Sequence, residues 1–155
     1  MDHSTDTGLS AHALAGDGRC FTLRRANRAL VFVRRVVADV VADYSQLLEL
    51  QEILELEQQY GSIQYLNQVK AEMNAAVSRL HGYLEELAAV GVELRDFARG
   101  LVDFPARVRG RDIFFCWQFG EDTISYWHDR DDGQAGRRPV SELASLQPAA
   151  GAEQA

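Results

Sequence analysis

The residue types that carry chemistry in this chain are concentrated between Asp96 and Arg138. This segment contains Cys116, Glu121 and His128, which are all metal-ligand types, together with both tryptophans. A thiol combined with an imidazole would suit zinc or iron. A histidine can also move a proton near neutral pH. We therefore expect a functional site in this segment.

The spacing of these residues does not favour a metal ion. No CxxC, HExxH or ExxH motif is present. A two-residue turn at Gly120-Glu121 predicts that Cys116 and His128 lie on opposite faces of a hairpin, and only a three-residue loop would let them share an ion. We therefore predict no metal site, with Cys116 and His128 as the residues to test. A buried free cysteine more often behaves as a small hydrophobic residue.

Asp103 is the second polar feature, because it lies between Val102 and Phe104. A carboxylate drawn into a core needs a cation or several hydrogen-bond donors. The candidate cations are Arg99, Arg111 and Arg137, and a structural ion pair is favoured over catalysis.

The end of the predicted sheet offers a polar pocket if Asp103, His128 and Arg137 converge there, beside Tyr126 and Trp127. An arginine in such a pocket would hold a carboxylate or phosphate. No calcium loop, phosphate-binding loop or nucleophile elbow is present, so we assign no catalytic residue and no cofactor. The predicted ligand-binding residues are Asp103, Glu121, Trp127, His128 and Arg137.

Alternating apolar residues predict the strands that carry these side chains. Arg109-Gly110 predicts a first hairpin turn, and Pro105 limits its own strand to a sheet edge. The turn at Gly120-Glu121 then predicts one core face, made of Ile113, Phe115, Trp117, Phe119, Ile124, Tyr126 and His128. The opposite face would carry Phe114, Cys116, Gln118, Thr123, Ser125 and Trp127.

Two long helices must position this sheet. Thr22 predicts the N-cap of the first, whose apolar residues follow a three-and-four spacing from Leu30 to Leu54. The spacing in the first helix is interrupted only at Gln51. The second helix has an unbroken heptad seam of coiled-coil type from Leu66 to Val90 and a stop at Gly91. The predicted fold is α+β, a long antiparallel helical hairpin followed by a small antiparallel sheet of about three strands. Residues 20–140 form this domain, 1–19 a disordered tail and 141–155 a mostly disordered tail.

The first helix has more apolar surface than one partner covers, and its charges are segregated. Residues 24–35 include five arginines and no acid, whereas residues 39–57 include six acids and no base. This arrangement opposes the helix macrodipole at both ends. Two copies of the helix laid antiparallel would match each basic half with an acidic half. We therefore predict a homodimer through the first helix.

The composition of the chain narrows its class of partner and its cellular location. The chain has 155 residues and a net charge of −7, which disfavours nucleic-acid binding. No apolar run approaches the roughly 20 residues that a membrane span needs. The N-terminal residues lack the pattern of a secretion signal, and two cysteines make no disulfide framework. We expect a cytoplasmic protein.

Several segments resemble one known family. FTLRRAN at 21–27, GLVDFP at 100–105, CWQFGE at 116–121, YWH at 126–128 and AGRRP at 135–139 are similar to the bacterial "domain of unknown function 2203" family. The resemblance covers about residues 20–140. It implies an architecture and a site location, and no reaction.

Two classes of function follow from the sequence. The leading class is an oligomeric binding or scaffolding protein with a polar pocket at the C-terminal sheet. The alternative is a small enzyme, or a ligand or metal sensor, that uses Asp103, Glu121, His128 and Arg137. A small-molecule ligand is compatible with both classes.

Overall fold

The computed structural model describes residues 20–146. The predicted tail at 1–19 lies outside this range, and so do residues 147–155 of the predicted tail at 141–155. Helix α1 spans Leu23–Glu57 and helix α2 spans Ile63–Val90. The strands are β1 at Glu93–Asp96, β2 at Leu101–Val108, β3 at Arg111–Gln118, β4 at Tyr126–Asp129 and β5 at Arg138–Pro139. Short 3₁₀ helices lie at Gln134–Gly136 and Val140–Ser145, and Leu146 after the second is buried.

The two helices pack as the predicted hairpin. The hydroxyl of Thr22 accepts a hydrogen bond from the Arg25 amide at 3.1 Å, as expected for an N-cap. Ser62 caps α2 in the same way through the Tyr65 amide at 3.0 Å. Gly91 ends α2 in the left-handed conformation with φ 101°. Three of the four helix ends therefore have a local cause in the sequence.

The sheet is antiparallel throughout, with its strands in sequence order. It has five strands in the described range, whereas the sequence predicted about three. The difference comes from the short edge strands β1 and β5, which have only four and two residues. The first hairpin turns at Arg109-Gly110, as predicted, with both residues at positive φ.

One face of the sheet packs on the helices and forms the core. Phe104, Phe115, Trp117 and Trp127 are all buried there, against α1 residues such as Val37. The prediction that Tyr126 and His128 share this face was wrong, because Trp127 occupies it instead. The other face of the sheet points away from the helices and is its outer face.

Pro105 does not mark an edge strand, contrary to the prediction, because β2 lies between β1 and β3. The pairing of β1 with β2 ends at Glu93 and Asp103, so the proline lies beyond it. Among residues 20–146, no strand pairs with β2 on its β1 side at Pro105, so the missing amide hydrogen removes no hydrogen bond between strands. The Pro105 carbonyl instead accepts a hydrogen bond from the Phe21 amide at 2.9 Å.

Gly100 connects β1 to β2 where the sheet meets α1. Its φ is +68°, and a Cβ at this position would lie 2.7 Å from Phe119 Cβ and 2.8 Å from Val37 Cγ1. We expect Gly100→Ala to lower the free energy of unfolding by about 2–4 kcal/mol, because backbone strain adds to overpacking. Urea denaturation measures the change. Gly120→Ala is the matched control: its φ is +104° with open space around it, so only about 1–2 kcal/mol is expected. Equal losses in the two variants would contradict the packing contribution.

Within residues 20–146, neither helix has the length and apolar character needed to cross a membrane.

Candidate functional site

The pairing of β3 with β4 decides which polar residues meet. Phe114 pairs with His128 and Cys116 pairs with Tyr126, so Cys116 and His128 lie on the same outer face. The prediction of opposite faces was wrong by one residue of register. A one-residue shift moves every side chain of a strand to the other face.

The shift arises in the connection between the two strands. The Glu121 amide donates to the Gln118 carbonyl at 3.0 Å, which centres the turn on Phe119 and Gly120. The chain does not return as a strand until Tyr126. In between, the Ile124 amide donates to Asn27 Oδ1 of α1 at 2.9 Å, and the Ile124 side chain is buried. The helix therefore holds a seven-residue connection in place of the predicted two-residue turn.

Asp103 and His128 form a buried pair on the outer face, with only 3% and 2% of their surfaces exposed. His128 Nε2 lies 3.0 Å from Asp103 Oδ1, and Nδ1 lies 2.8 Å from the backbone carbonyl of Asp129. Both partners are hydrogen-bond acceptors when Asp103 is ionised, so both ring nitrogens act as donors and the ring is an imidazolium. Burial of the ring lowers the pKa of His128, but hydrogen bonds to Asp103, Cys116 and the Asp129 carbonyl raise it to about 10.

The second cation at Asp103 is Arg95, which is not among the three arginines predicted from the sequence. Arg95 Nε donates to Asp103 Oδ2 at 2.9 Å, so each carboxylate oxygen has its own donor. The three predicted cations pair elsewhere, Arg99 with Asp96, Arg111 with Asp129 and Arg137 with Glu121. Because Glu93 of β1 pairs with Asp103 of β2, Arg95 lies on the same face of the sheet as Asp103. Arg95 can therefore be identified as a partner of Asp103 only from the register of β1 and β2.

Arg137 and Glu121 form a second, partly buried ion pair on the outer face. Arg137 Nη2 donates to Glu121 Oε1 at 2.8 Å and Nη1 donates to Oε2 at 3.0 Å, a bidentate geometry. Burial lowers the pKa of Arg137, but the hydrogen bond to Glu121 and the neighbouring Cys116 leave it raised overall. The buried Nε of Arg137 has no hydrogen-bond acceptor among residues 20–146.

Cys116 lies between the two ion pairs and is fully buried. Its side chain is a hydrogen-bond partner of both His128 and Arg137. Its backbone carbonyl also accepts from Arg137 Nη2 at 3.2 Å. Polar contacts therefore run across the outer face without a break. This outer-face network consists of Arg95, Asp103, His128, Cys116, Arg137 and Glu121.

Cationic and aromatic side chains border the network. The guanidinium of Arg137 lies 4.2 Å from the ring centroid of Tyr126, and those of Arg95 and Arg130 lie 5.2 and 5.7 Å from that of Phe114. Trp127 belongs to the core side instead, where its indole nitrogen donates to the Pro139 carbonyl at 3.1 Å. The prediction that Trp127 borders the pocket was therefore wrong.

A cleft of about 320 Å³ reaches the network from solvent at Asp103. It lies between the β1–β2 end of the sheet and the segment that follows β4. Of the network residues, Arg95 and Asp103 line it directly, together with Leu101, Arg130, Asp131 and Gly133.

The arrangement brings together groups with distinct chemical abilities. Asp103, Cys116 and His128 are buried metal-ligand types whose ligand atoms all lie within 4.8 Å of one another. The bidentate pair of Glu121 and Arg137 lies beside Cys116 and does not contact Asp103. The five predicted ligand-binding residues thus divide into the pair Asp103–His128, the pair Glu121–Arg137, and Trp127 on the other face.

The fold and site define an α+β protein in which a helical hairpin supports a five-stranded sheet with a buried polar network on its outer face. The chain belongs to the family described as "Uncharacterized conserved protein (DUF2203)", which it matches over residues 19–140. This range covers both helices and all five strands. Comparison with curated proteins and with solved structures finds no match.

Proposed function

We propose that this protein is a homodimeric binding or scaffolding protein that pairs through α1 and presents the outer face of its sheet. The observation that carries the proposal is the exposed side of α1. Val31 and Leu56 are 67% and 70% exposed, and Phe32 and Leu48 are also exposed, so the hairpin and sheet leave these apolar residues uncovered.

A regular stripe runs along this side of α1. Its members follow an unbroken spacing of three and four residues, which is the pattern of a helix-packing seam. The basic residues lie in its first half and the acidic residues in its second, with two small residues near its centre. The stripe consists of Arg28, Val31, Arg35, Ala38, Ala42, Ser45, Glu49, Glu52 and Leu56.

An antiparallel two-fold pairing fits this stripe, because it places unlike charges together. With the axis near Val40, the midpoint of α1, Arg28 of one copy faces Glu52 of the partner subunit. Ala38 then faces Ala42 of the partner subunit, where small side chains permit close approach of the helices. Each contact occurs twice in a two-fold dimer. Since the stripe contains two basic and two acidic residues, the association should weaken as salt increases.

A charge exchange tests the dimer. We expect Arg28→Glu to weaken dimerisation roughly tenfold or more, because each of two symmetric contacts becomes a pair of like charges. The double variant Arg28→Glu, Glu52→Arg should restore the dimer, because it exchanges the partners in both contacts. Sedimentation equilibrium at low salt measures the mass of each variant.

Lys70→Glu provides a matched control, since it reverses an exposed charge on α2 and leaves the stripe intact. It should sediment like the wild type. A monomeric wild type at low salt, or a double variant no more dimeric than Arg28→Glu, would reject the pairing. Thermal melts followed by circular dichroism confirm that each variant is folded.

A second candidate is a small enzyme, or a ligand or metal sensor, that uses the outer-face network. The supporting observation is that this buried, charged network adjoins the cleft at Asp103. Burying a charge costs free energy, and buried charges are common at functional sites.

The two free cysteines, Cys20 and Cys116, fit the cytoplasmic location that we propose for either function. Native mass spectrometry of purified protein would detect a ligand retained in the cleft.

A further inference from the structure

Three neighbouring strands bring one ligand-type side chain each to the same point of the outer face. Asp103 lies on β2, Cys116 on β3 and His128 on β4, and their ligand atoms lie within 4.8 Å of one another. Zinc binds such atoms at about 2.0–2.3 Å, so its tetrahedral ligands are separated by roughly 3–4 Å. Small side-chain adjustments bring the cluster to this geometry.

The orientation of His128 suits a metal ligand. Its Nδ1 donates to the backbone carbonyl of Asp129 at 2.8 Å, which turns Nε2 toward Asp103 and Cys116. Metal-binding histidines are usually fixed in this way by a hydrogen bond from the nitrogen that does not bind the ion. Arg95 similarly holds Oδ2 of Asp103 and leaves Oδ1 directed at the cluster.

The cleft supplies what a functional metal site needs beyond its protein ligands. It reaches Asp103 and so gives an ion and a water molecule a route to the cluster. Three protein ligands with a solvent-accessible fourth position are typical of catalytic zinc sites, whereas structural zinc sites have four protein ligands.

We propose that Asp103, Cys116 and His128 bind one divalent transition-metal ion of the zinc class, with the fourth position open to the cleft. The thiolate and carboxylate balance the two positive charges of the ion. On coordination the ion replaces the protons on Cys116 Sγ and His128 Nε2, and both protons pass to solvent. A thiolate, an imidazole and a carboxylate together favour zinc over magnesium or calcium, which prefer oxygen ligands alone. The proposal deepens the second candidate function, on which it rests.

Cobalt(II) is the probe that distinguishes this site from a purely structural ion pair. The experiment uses the full chain without an affinity tag, freed of metal by dialysis against a chelator. His3→Ala and His12→Ala are introduced in every sample to remove the N-terminal histidines as competitors. We expect one cobalt per chain and a thiolate-to-cobalt charge-transfer band, both lost when zinc is added in stoichiometric amount.

The variants assign the ligands. Cys116→Ser is nearly isosteric and should remove the charge-transfer band and weaken cobalt binding roughly 100-fold or more, more than loss of a second-shell partner would. Asp103→Asn should weaken binding at least about tenfold while keeping the band. Cys20→Ser and His81→Ala are the matched controls, since they alter the other free cysteine and an exposed histidine of α2. Both controls should bind cobalt like the parent.

Absence of stoichiometric cobalt binding to the folded parent would overturn the proposal, as would an unchanged band in Cys116→Ser. His128→Ala should also lose cobalt binding, and if that variant does not fold, Cys116→Ser still decides the outcome. If the protein binds no metal, the second candidate function still allows the outer-face network to bind another kind of ligand. Native mass spectrometry detects such a ligand independently of the cobalt experiment. Neither result changes the mass measured by sedimentation, so the proposed dimer is tested independently of the metal site.

Discussion

Replacing His128 with alanine should lower the free energy of unfolding by about 3–5 kcal/mol in metal-free protein at pH 6. The substitution leaves the buried carboxylate of Asp103 without the cation at Oδ1, and breaking one partner of a buried ion pair typically has this cost. Arg95 remains bound to Oδ2 but is itself substantially exposed, so it compensates for only part of the loss. Urea denaturation of the two proteins measures the difference.

The loss should depend on pH in a direction fixed by the pKa of His128. The folded-state pKa is about 10 and the ordinary value is 6.5, so the native state binds the proton more tightly than the unfolded state does. The stabilisation is therefore fully present below pH 6.5 and is lost as the pH rises from 6.5 toward 10. We expect the wild type and His128→Ala to converge in stability across this interval.

Two comparisons make this result interpretable. His81→Ala removes an exposed histidine from α2 and should leave stability unchanged at every pH. Asp103→Asn removes the charge that holds His128 as an imidazolium, so it should flatten the same part of the pH profile. A His128→Ala protein as stable as the wild type at pH 6 would show that the ion pair does not stabilise the fold, and would favour a role in ligand binding alone.

Much of the helical hairpin could be predicted because its determinants are local. Thr22 and Gly91 mark helix ends through contacts with their own neighbours, and the three-and-four spacing of apolar residues needs no tertiary information. The turn at Arg109-Gly110 is equally local. These features follow from short stretches of sequence.

The register of β4 could not be predicted because distant residues determine it. Asn27 and Arg34 of α1 bind the backbone of Ile124 and Asp122, 97 and 88 positions along the chain. Without those contacts, Gly120-Glu121 satisfies the rules for a two-residue hairpin turn. One residue of register then separated Cys116 from His128 in the prediction and placed Trp127 beside the pocket.

The pairing of β1 with β2 explains what was missed at the site. Asp103 was correctly expected to need a cation, and the favoured ion-pair interpretation matches its contacts with Arg95 and His128. Arg95 itself is identified only once Glu93 is known to pair with Asp103. Burial and charge could therefore be predicted from sequence, whereas partner identity required the pairing of strands.

Trp117→Ala should lower the free energy of unfolding by about 3–5 kcal/mol. The side chain is fully buried between the sheet and α1. Its indole nitrogen also donates to the Glu121 carbonyl at 2.9 Å, and its ring packs edge-on against Phe119. Trp117 therefore stabilises both the core and the connection that sets the register of β4.

These two roles can be separated experimentally. Trp117→Phe keeps most of the buried ring but loses the hydrogen bond to Glu121, whereas Phe115→Ala removes a comparable core side chain without touching that connection. We expect Phe115→Ala to lower the free energy of unfolding by a similar ~3–5 kcal/mol, and Trp117→Phe to lower it by less.

Hydrogen exchange at the Ile124 amide reports on the connection, because this amide donates to Asn27 Oδ1 at 2.9 Å. Faster exchange in Trp117→Phe than in an equally destabilised core variant would show that the indole hydrogen bond stabilises the connection. Equal exchange rates would assign Trp117 to core packing alone.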